Sequence, residues 1–579
     1  MKEVVDFLNT LHRLDGNNIN TTAESADNNK FMQKILYKDQ ILIDSIINRL
    51  KNGGKVLLTG FAGDGKTTIA KLVAEQLTGS GIELDKDVFS IATPIGKLTI
   101  IKDLSEVPLS ESNKLLYEKI SSSTESLLIV SNTGTIKSRL LSIYDDGRWQ
   151  STYESESVFE SAILKGIECG DSGFEDDING LNIHVFNLVR RDNLAIAYEV
   201  FKRILNLTDW DQATEKERES TIYLNVKLLK ANDFLALKRM FYIYRRIYEY
   251  GQRLTMRNLL EHFAYTITGN LNNLIQNNSQ RFFVDNFFGA YDSKSLEIEG
   301  IKCVRKFDFG KNIPSLWKRR IFHGANIDQL TIDLPKSVYS IDRYAPLSKE
   351  ECYLEHFYNL ENQAAILRML FLLNDFDVEQ DEYAKQYING FLNSPAFMDF
   401  LELQRSKTVI RKTKLKLDTL IKDVLSDYCS NMVIPKSSQK DKIYITLSRK
   451  THEINQSAQI VLAIFDWNSR NIQVDSILDS RNLYQFCLRL RNREEVDERM
   501  ILNLPMLDYL FEIDAGASLA NMNSLFQKRL ENIKLQLYRE SDILTKEDDE
   551  LSIVYKDIQN KLHEIHYFIE NDEIDVRGE

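Results

Sequence analysis

The sequence predicts an α/β domain with a mainly parallel sheet, then a mainly helical region, then a small α+β C-terminal domain. Three observations carry that expectation. Apolar strand-like runs alternate with helical patterns over residues 55–189, as in a parallel sheet covered by helices on both faces. Apolar residues at helical spacing dominate residues 194–425. From Lys442 the period changes to short strands joined by polar turns. The boundaries that follow are 1–29 for an N-terminal helix and linker, 30–210 for the α/β domain, 211–430 for a helical lid and helical domain, and 431–579 for the C-terminal domain with an acidic tail.

Taken in order, residues 1–15 read as a short amphipathic helix and 16–29 (GNNINTTAESADNN) as a polar linker. Ile41, Leu42, Ile46 and Leu50 stand at helical spacing, and Gly53-Gly54 stops that helix. Residues 55–59 (KVLLT) form the first strand, followed by a helix from Lys66 to Leu77. The runs 88–92 and 98–101 are too close to hold a helix between them, so a turn joins them. A helical stretch at 110–120 leads to the strand 126–131 (SLLIVS), and 181–189 completes the set. The helical region includes the aromatic-rich segment 234–250, with strand-like interruptions at 282–288 and 303–309. KIYITL, AQIVLAIF and NIQVDSI predict a small antiparallel sheet, and a helix pair at 518–537 and 547–569 closes the chain. No internal repeat occurs at a fixed period.

The 579 residues are 43% hydrophobic and 27% charged, which supplies several cores and excludes wholesale disorder. Eight Pro and 24 Gly exclude collagen-like and low-complexity classes. The net charge of −12 is uneven: residues 541–579 hold twelve acids against four bases, leaving −4 for the rest. A basic face in the first 540 residues is therefore masked in the total. Cys169, Cys303, Cys352, Cys429 and Cys487 are scattered with no C-x-x-C pair, which fits a reducing cytosol rather than a disulfide framework or a zinc site. Charges interrupt the N-terminus where a signal peptide needs a continuous apolar stretch. No apolar run approaches the roughly 18 residues of a membrane span, so a cytoplasmic protein without membrane contact is expected.

One segment carries specific chemistry. Gly60-Phe61-Ala62-Gly63-Asp64-Gly65-Lys66-Thr67 matches G-x-x-x-x-G-K-[ST], between the strand KVLLT and the helix TTIAKLVAEQL, which opens at Thr67-Thr68. Glycines let the backbone curl until its N–H groups face phosphate oxygens, and the helix N-terminus adds partial positive charge. Lys66 would reach the β- and γ-phosphates, and the Thr67 hydroxyl would take a Mg²⁺ position. The plain alternative is a glycine turn that caps a helix. The strand before it and the helix after it favour phosphate.

Hydrolysis needs an acid on a neighbouring strand. Asp103 follows the run 98–101, at the strand end where ligands collect in open α/β sheets, and is the candidate Mg²⁺ holder; Glu106 would polarise the water. Both also suit ordinary loop acids. Asn132 ends the strand 126–131 and is placed for the γ-phosphate or the lytic water, or for a simple turn with Gly134. Arg257, in LTMRNLL, and Arg190-Arg191 are candidates for transition-state charge.

Strand, phosphate loop, acidic strand end, Asn-ended strand and helical lid together resemble the AAA+-type branch of P-loop ATPases. A narrower similarity is to the DNA-phosphorothioation-dependent restriction ATPase family (the DptF type). Its motifs are matched by Gly63-Asp64-Gly65-Lys66, by Asp103-Leu104-Ser105-Glu106 and by the strand 127–132. Leu254-Thr255-Met256-Arg257-Asn258-Leu259-Leu260 also resembles such anti-phage ATPases, and 505–535 does so more loosely. The resemblance implies an ATP-binding and hydrolysing subunit of a bacterial DNA-restriction or antiviral defence system. ATP and Mg²⁺ would be its cofactors. Other subunits of a defence complex, double-stranded DNA and further copies of the chain would be its partners.

No guanine-specifying N-K-x-D follows the loop, which favours ATP over GTP. Three basic clusters interleave with aromatic or aliphatic residues: Lys238, Arg239, Arg245 and Arg246; Lys311, Lys318, Arg319 and Arg320 around Trp317; and Arg405, Lys407, Arg411, Lys412, Lys414 and Lys416. Arg405, Lys412 and Lys416 at helical spacing would track a phosphate backbone from one face, against the plain reading of a solvated helix. His563 and His566 in HEIH lack a third metal ligand and read as helix surface. No nucleophile elbow, papain-like cysteine signature or clear nuclease constellation is present. The leading expectation is thus an ATPase of a defence system. A nucleotide-switched, oligomerising signalling scaffold with little turnover is the alternative from another class, and a nucleotide kinase is a weaker third.

Overall fold

The computed structural model of the chain describes residues 1–12, 30–79, 87–102, 109–168, 175–271, 282–289, 294–307, 309–310, 367–369, 371–373, 382–430, 441–447, 458–468, 470–479, 481–491, 497–516, 524–543, 550–559, 561–570 and 573–578. The chain divides into two units, Met1–Asn393 with Asp479–Leu483, and Ser394–Leu478 with Tyr484–Glu579.

The first unit is built on six strands: β1 (Lys55–Gly60), β2 (Val88–Thr93), β3 (Gly96–Lys102), β4 (Ser126–Asn132), β5 (Glu175–Ile178) and β6 (Ile183–Asn187). Their spatial order is β2-β3-β4-β1-β6-β5. The inner four run parallel, and β2 and β5 close the edges antiparallel. β2 and β3 are joined by a tight turn, as their spacing required.

Side-chain alternation divides the interior into two cores. Val56 and Leu58 of β1, with Leu128 and Val130 of β4, face α3 (Gln40–Leu50) and α4 (Lys66–Thr78). Leu57, Leu127 and Ile129 face the opposite way, against α5 (Leu109–Ser121), α6 (Thr133–Asp145) and α7 (Glu156–Glu168). Strands buried on both faces read as continuous apolar runs, which is why KVLLT and SLLIVS were legible. Lys102, an odd residue for a buried strand, is itself buried at the end of β3.

Helices follow in the same unit: α8 (Asn193–Leu205), α9 (Thr221–Glu249), α10 (Met256–Thr268), α11 (Phe283–Phe288), α12 (Glu299–Lys306) and α13 (Glu382–Phe391). The N-terminal helix α1 (Lys2–Leu11) packs on α10, and the short α2 (Lys30–Ile35) packs on α8. The expected strands at 282–288 and 303–309 are a correction: Phe283–Phe288 is helical, and Cys303 lies within Glu299–Lys306. Every side chain of Phe283–Phe288 is buried, so the segment has no polar stripe to mark a helical period. Gly289 at φ +66° closes it.

His262 on α10 is fully enclosed. Its Nε2–H donates to the Phe287 carbonyl (2.9 Å), which leaves Nδ1 to accept from the Tyr244 hydroxyl (2.9 Å). Burial holds its pKa down to about 4. The neutral ring is the folded form, so this contribution is complete above about pH 6.5 and is lost as the pH falls from there through about 4. Over that window it should cost about 3 kcal/mol. His262→Gln, though less stable at pH 7, should show a shallower acid dependence in urea melts between pH 7 and 4.5. Equal slopes would contradict this assignment.

The second unit holds α14 (Phe397–Ser406), α15 (Arg411–Ser430), α16 (Leu504–Asp514) and α17 (Ser524–Glu540) with two antiparallel sheets. One sheet is β11-β10-β9, from Asp497–Leu502, Tyr484–Arg491 and Ile472–Leu478. The other joins β7 (Lys442–Thr446), β8 (Ala458–Asp466), β12 (Asp542–Ile543), β13 (Glu550–Lys556), β14 (Leu562–Glu570) and β15 (Glu573–Gly578). The strands KIYITL, AQIVLAIF and NIQVDSI are present. The closing helix at 547–569 is a second correction, because β13 and β14 form an antiparallel hairpin there. Asp557 makes its turn by accepting from the N–H groups of Gln559 and Lys561 (2.8 Å each). His563 and His566 accordingly sit on a strand, beside Asp557 and Ser552, and not on a helix surface. Among the described residues, no helix is long and apolar enough to cross a membrane, and no His/Cys/Asp/Glu cluster could hold a metal.

Candidate nucleotide-binding site

The inner strands are parallel, so the C-terminal ends of β3, β4, β1 and β6 all reach one edge of the sheet. The loop after β1 begins there. Gly60 ends β1, the loop turns through Phe61 to Gly65, and α4 begins at Lys66. Gly63 and Gly65 hold φ of +88° and +85°, values that disfavour any side chain. A Cβ on Gly63 would stand 3.0 Å from Arg257 Cβ and 3.1 Å from Thr255 Oγ1, whereas one on Gly65 would meet nothing within 4 Å.

Gly65 is the N-cap of α4 and no side chain caps it. The first intrahelical bond runs from Ile69 N–H to the Gly65 carbonyl (3.0 Å). The N–H groups ahead of that bond, those of Thr67 and Thr68 among them, belong to the first turn, which a helix does not pair within itself. Ala62 and Phe61 are exposed, and Thr67 and Thr68 are half-buried. The Lys66 ammonium folds back over the loop, donating to the carbonyls of Gly60 (3.1 Å) and Phe61 (2.8 Å) and to Asn132 Oδ1 (2.8 Å). Asn132 stands opposite Gly60 in the β4–β1 register and is exposed at its strand end. Thr59 and Thr133 hydroxyls meet beneath it at 3.1 Å.

The carboxylate of Asp64 turns inward. Its side chain is 1% exposed, and Oδ2 accepts the Phe61 N–H (2.9 Å). Arg253 Nη1 lies 3.0 and 2.8 Å from its two oxygens, while Arg253 Nη2 donates to the Leu188 carbonyl (2.7 Å). Removing one partner of such a buried pair costs about 3–5 kcal/mol. Arg257, four residues on, donates its backbone N–H to the Gly63 carbonyl (3.3 Å). Thr255 and Asn258 form a reciprocal capping box that starts α10 at this point.

The loop residues Gly60 to Thr68, Asn132 and Arg257 are therefore brought together. Asp103 and Glu106 lie outside the described residues, immediately beyond Lys102 at the end of β3. Arg191 is turned away into an ion pair with Asp39, and burial pushes its pKa down to about 10. Arg253 was missed: it lies 189 residues from Asp64, and no local pattern links them.

The chain matches no protein-family model, no curated protein and no solved structure.

The basic clusters fare differently from the loop. Arg239 and Arg246 are buried, Arg245 pairs with Asp192 (2.6 Å) and Lys238 with Asp233 (2.7 Å), so this set is interior or paired and does not form a phosphate track. The cluster around Trp317 lies outside the described residues. Arg405 belongs to α14, which ends at Lys407 with φ +61°, whereas Lys412 and Lys416 belong to α15. The single helical face expected for these three is corrected: the left-handed turn at Lys407 separates them. Lys416 pairs with Asp399 (2.8 Å) above the Phe511 ring, and Lys414 donates to Gln473 (2.7 Å).

Proposed function

We propose that this chain binds and hydrolyses Mg·ATP as a subunit of a bacterial DNA-restriction or antiviral defence system. The loop geometry carries the ATP part of the reading: two left-handed glycines, an uncapped helix start and a lysine laid across the mouth suit a polyphosphate. The fold is then a P-loop NTPase domain of AAA+ type. In support, β4 with its terminal Asn132 lies between β1 and β3, so a polar strand end stands next to the loop. Lys66 and the first-turn N–H groups would hold the β- and γ-phosphates, and the Thr67 hydroxyl with Asp103 would hold Mg²⁺. Bound ATP supplies a phosphoryl group for transfer to water. Glu106 and Asn132 would orient that water, and Arg257 would stabilise the charge that develops.

The defence role rests on the resemblance alone. Defence-complex subunits, duplex DNA and further copies of the chain are the proposed partners, and the cytoplasm is the proposed site. Phosphate release by the purified chain, with and without duplex DNA, tests this. A loader or motor should be stimulated by DNA. A slow rate indifferent to DNA would favour the nucleotide-switched scaffold.

Asp103→Asn should weaken Mg·ATP binding about tenfold, consistent with one lost charge-assisted contact of about 1.4 kcal/mol. Glu106→Gln should keep affinity and slow turnover, trapping ATP. Titrations of affinity and phosphate release check both. Unchanged turnover in either variant would move that role to another acid.

A further inference from the structure

The carboxylate of Asp64 is a liability in a loop that takes phosphates. It is buried within the loop, two residues before Lys66, where its charge opposes an anionic ligand. The structure shows what cancels it. Arg253, itself 13% exposed, lays one nitrogen against both Asp64 oxygens and a second on the Leu188 carbonyl, with its guanidinium 5.7 Å from the Phe61 ring centroid. It thereby ties the loop to the end of β6 and to the segment that enters α10.

We propose that Arg253 is a positioning residue for the phosphate loop, neutralising Asp64 so that the loop accepts a polyphosphate only while the 253–257 segment is docked. The proposal rests on the ATP reading above. It assigns the helical part of the unit a direct hold on nucleotide affinity: undocking this segment leaves an uncompensated anion inside the loop. The backbone bond from Arg257 to Gly63 moves with the same segment, so both contacts are lost together.

The test uses the full chain and a fluorescent ATP analogue with Mg²⁺. Arg253→Ala should weaken binding roughly 10- to 100-fold, the range of typical coupling between sites. Adding Asp64→Asn to that variant should recover most of the loss, because asparagine removes the charge yet still accepts the Phe61 N–H. A clamp that acted by shape alone would not be rescued this way. Should Arg253→Ala fail to fold, Arg253→Lys with and without Asp64→Asn carries the comparison: the lysine keeps the charge but loses the second donor to Leu188, so it should bind more weakly than wild type yet well above a Lys66→Ala variant. A double variant as weak as Arg253→Ala, Arg253→Ala binding like wild type, or a lysine variant as weak as a loop knockout would each overturn the proposal. Absence of binding by wild type would bring down the ATP reading with it, whereas binding by wild type with any of those three results brings down this proposal alone.

Discussion

Lys66→Ala should lower ATP turnover by about 100- to 1000-fold, the usual effect of removing one preorganised donor from a developing charge. Stability should barely change. The ammonium lies over the loop, bonded to two carbonyls and to exposed Asn132, and the residue is only half-buried. Substitutions of that kind stay within about 0.5–1 kcal/mol. Phosphate release and a thermal melt on the same preparation check both halves. Wild-type turnover in the variant would remove the loop from the chemistry.

Gly63→Ala should be nearly as damaging by another route. The residue sits at φ +88°, and its new methyl would press on Arg257 Cβ and Thr255 Oγ1 at about the closest distance that real Cβ atoms tolerate. Backbone strain of this type costs about 1–3 kcal/mol. Relief requires the loop and the start of α10 to part, and a displacement of about 1 Å at such a site can cost on the order of 100-fold in rate. Gly65→Ala is the internal control: similar φ, but open space around the methyl, so it should carry the strain without the clash. Melting temperatures of the two variants should therefore rank Gly63→Ala below Gly65→Ala. The reverse order would contradict the packing of 255–257 on the loop.

Legibility followed the range of the forces involved. β1, the loop and α4 are contiguous, so strand, glycines and helix start appear in one stretch of sequence. The β2–β3 hairpin was legible from spacing, and the strands from β7 to β9 from their short period. Phe283–Phe288 misled because complete burial erases periodicity. The β13–β14 hairpin misled although its signal was present: Leu551, Ile553 and Tyr555 alternate, and Asp557 marks the turn. The charge clusters misled because the partners of Arg245 and Lys416 lie far away or on another helix. For the same reason the Asp64–Arg253 pair needed the fold to be seen at all.

The central claim is that the loop Gly60–Thr67 takes the phosphates of Mg·ATP. Equilibrium titration of a fluorescent ATP analogue into the full wild-type chain, with and without Mg²⁺ and with unlabelled ATP as competitor, tests it most directly. Saturable, Mg²⁺-dependent binding that ATP displaces and Lys66→Ala abolishes is the expected result. Binding that Lys66→Ala leaves intact, or no binding at all by the wild-type chain, would contradict it.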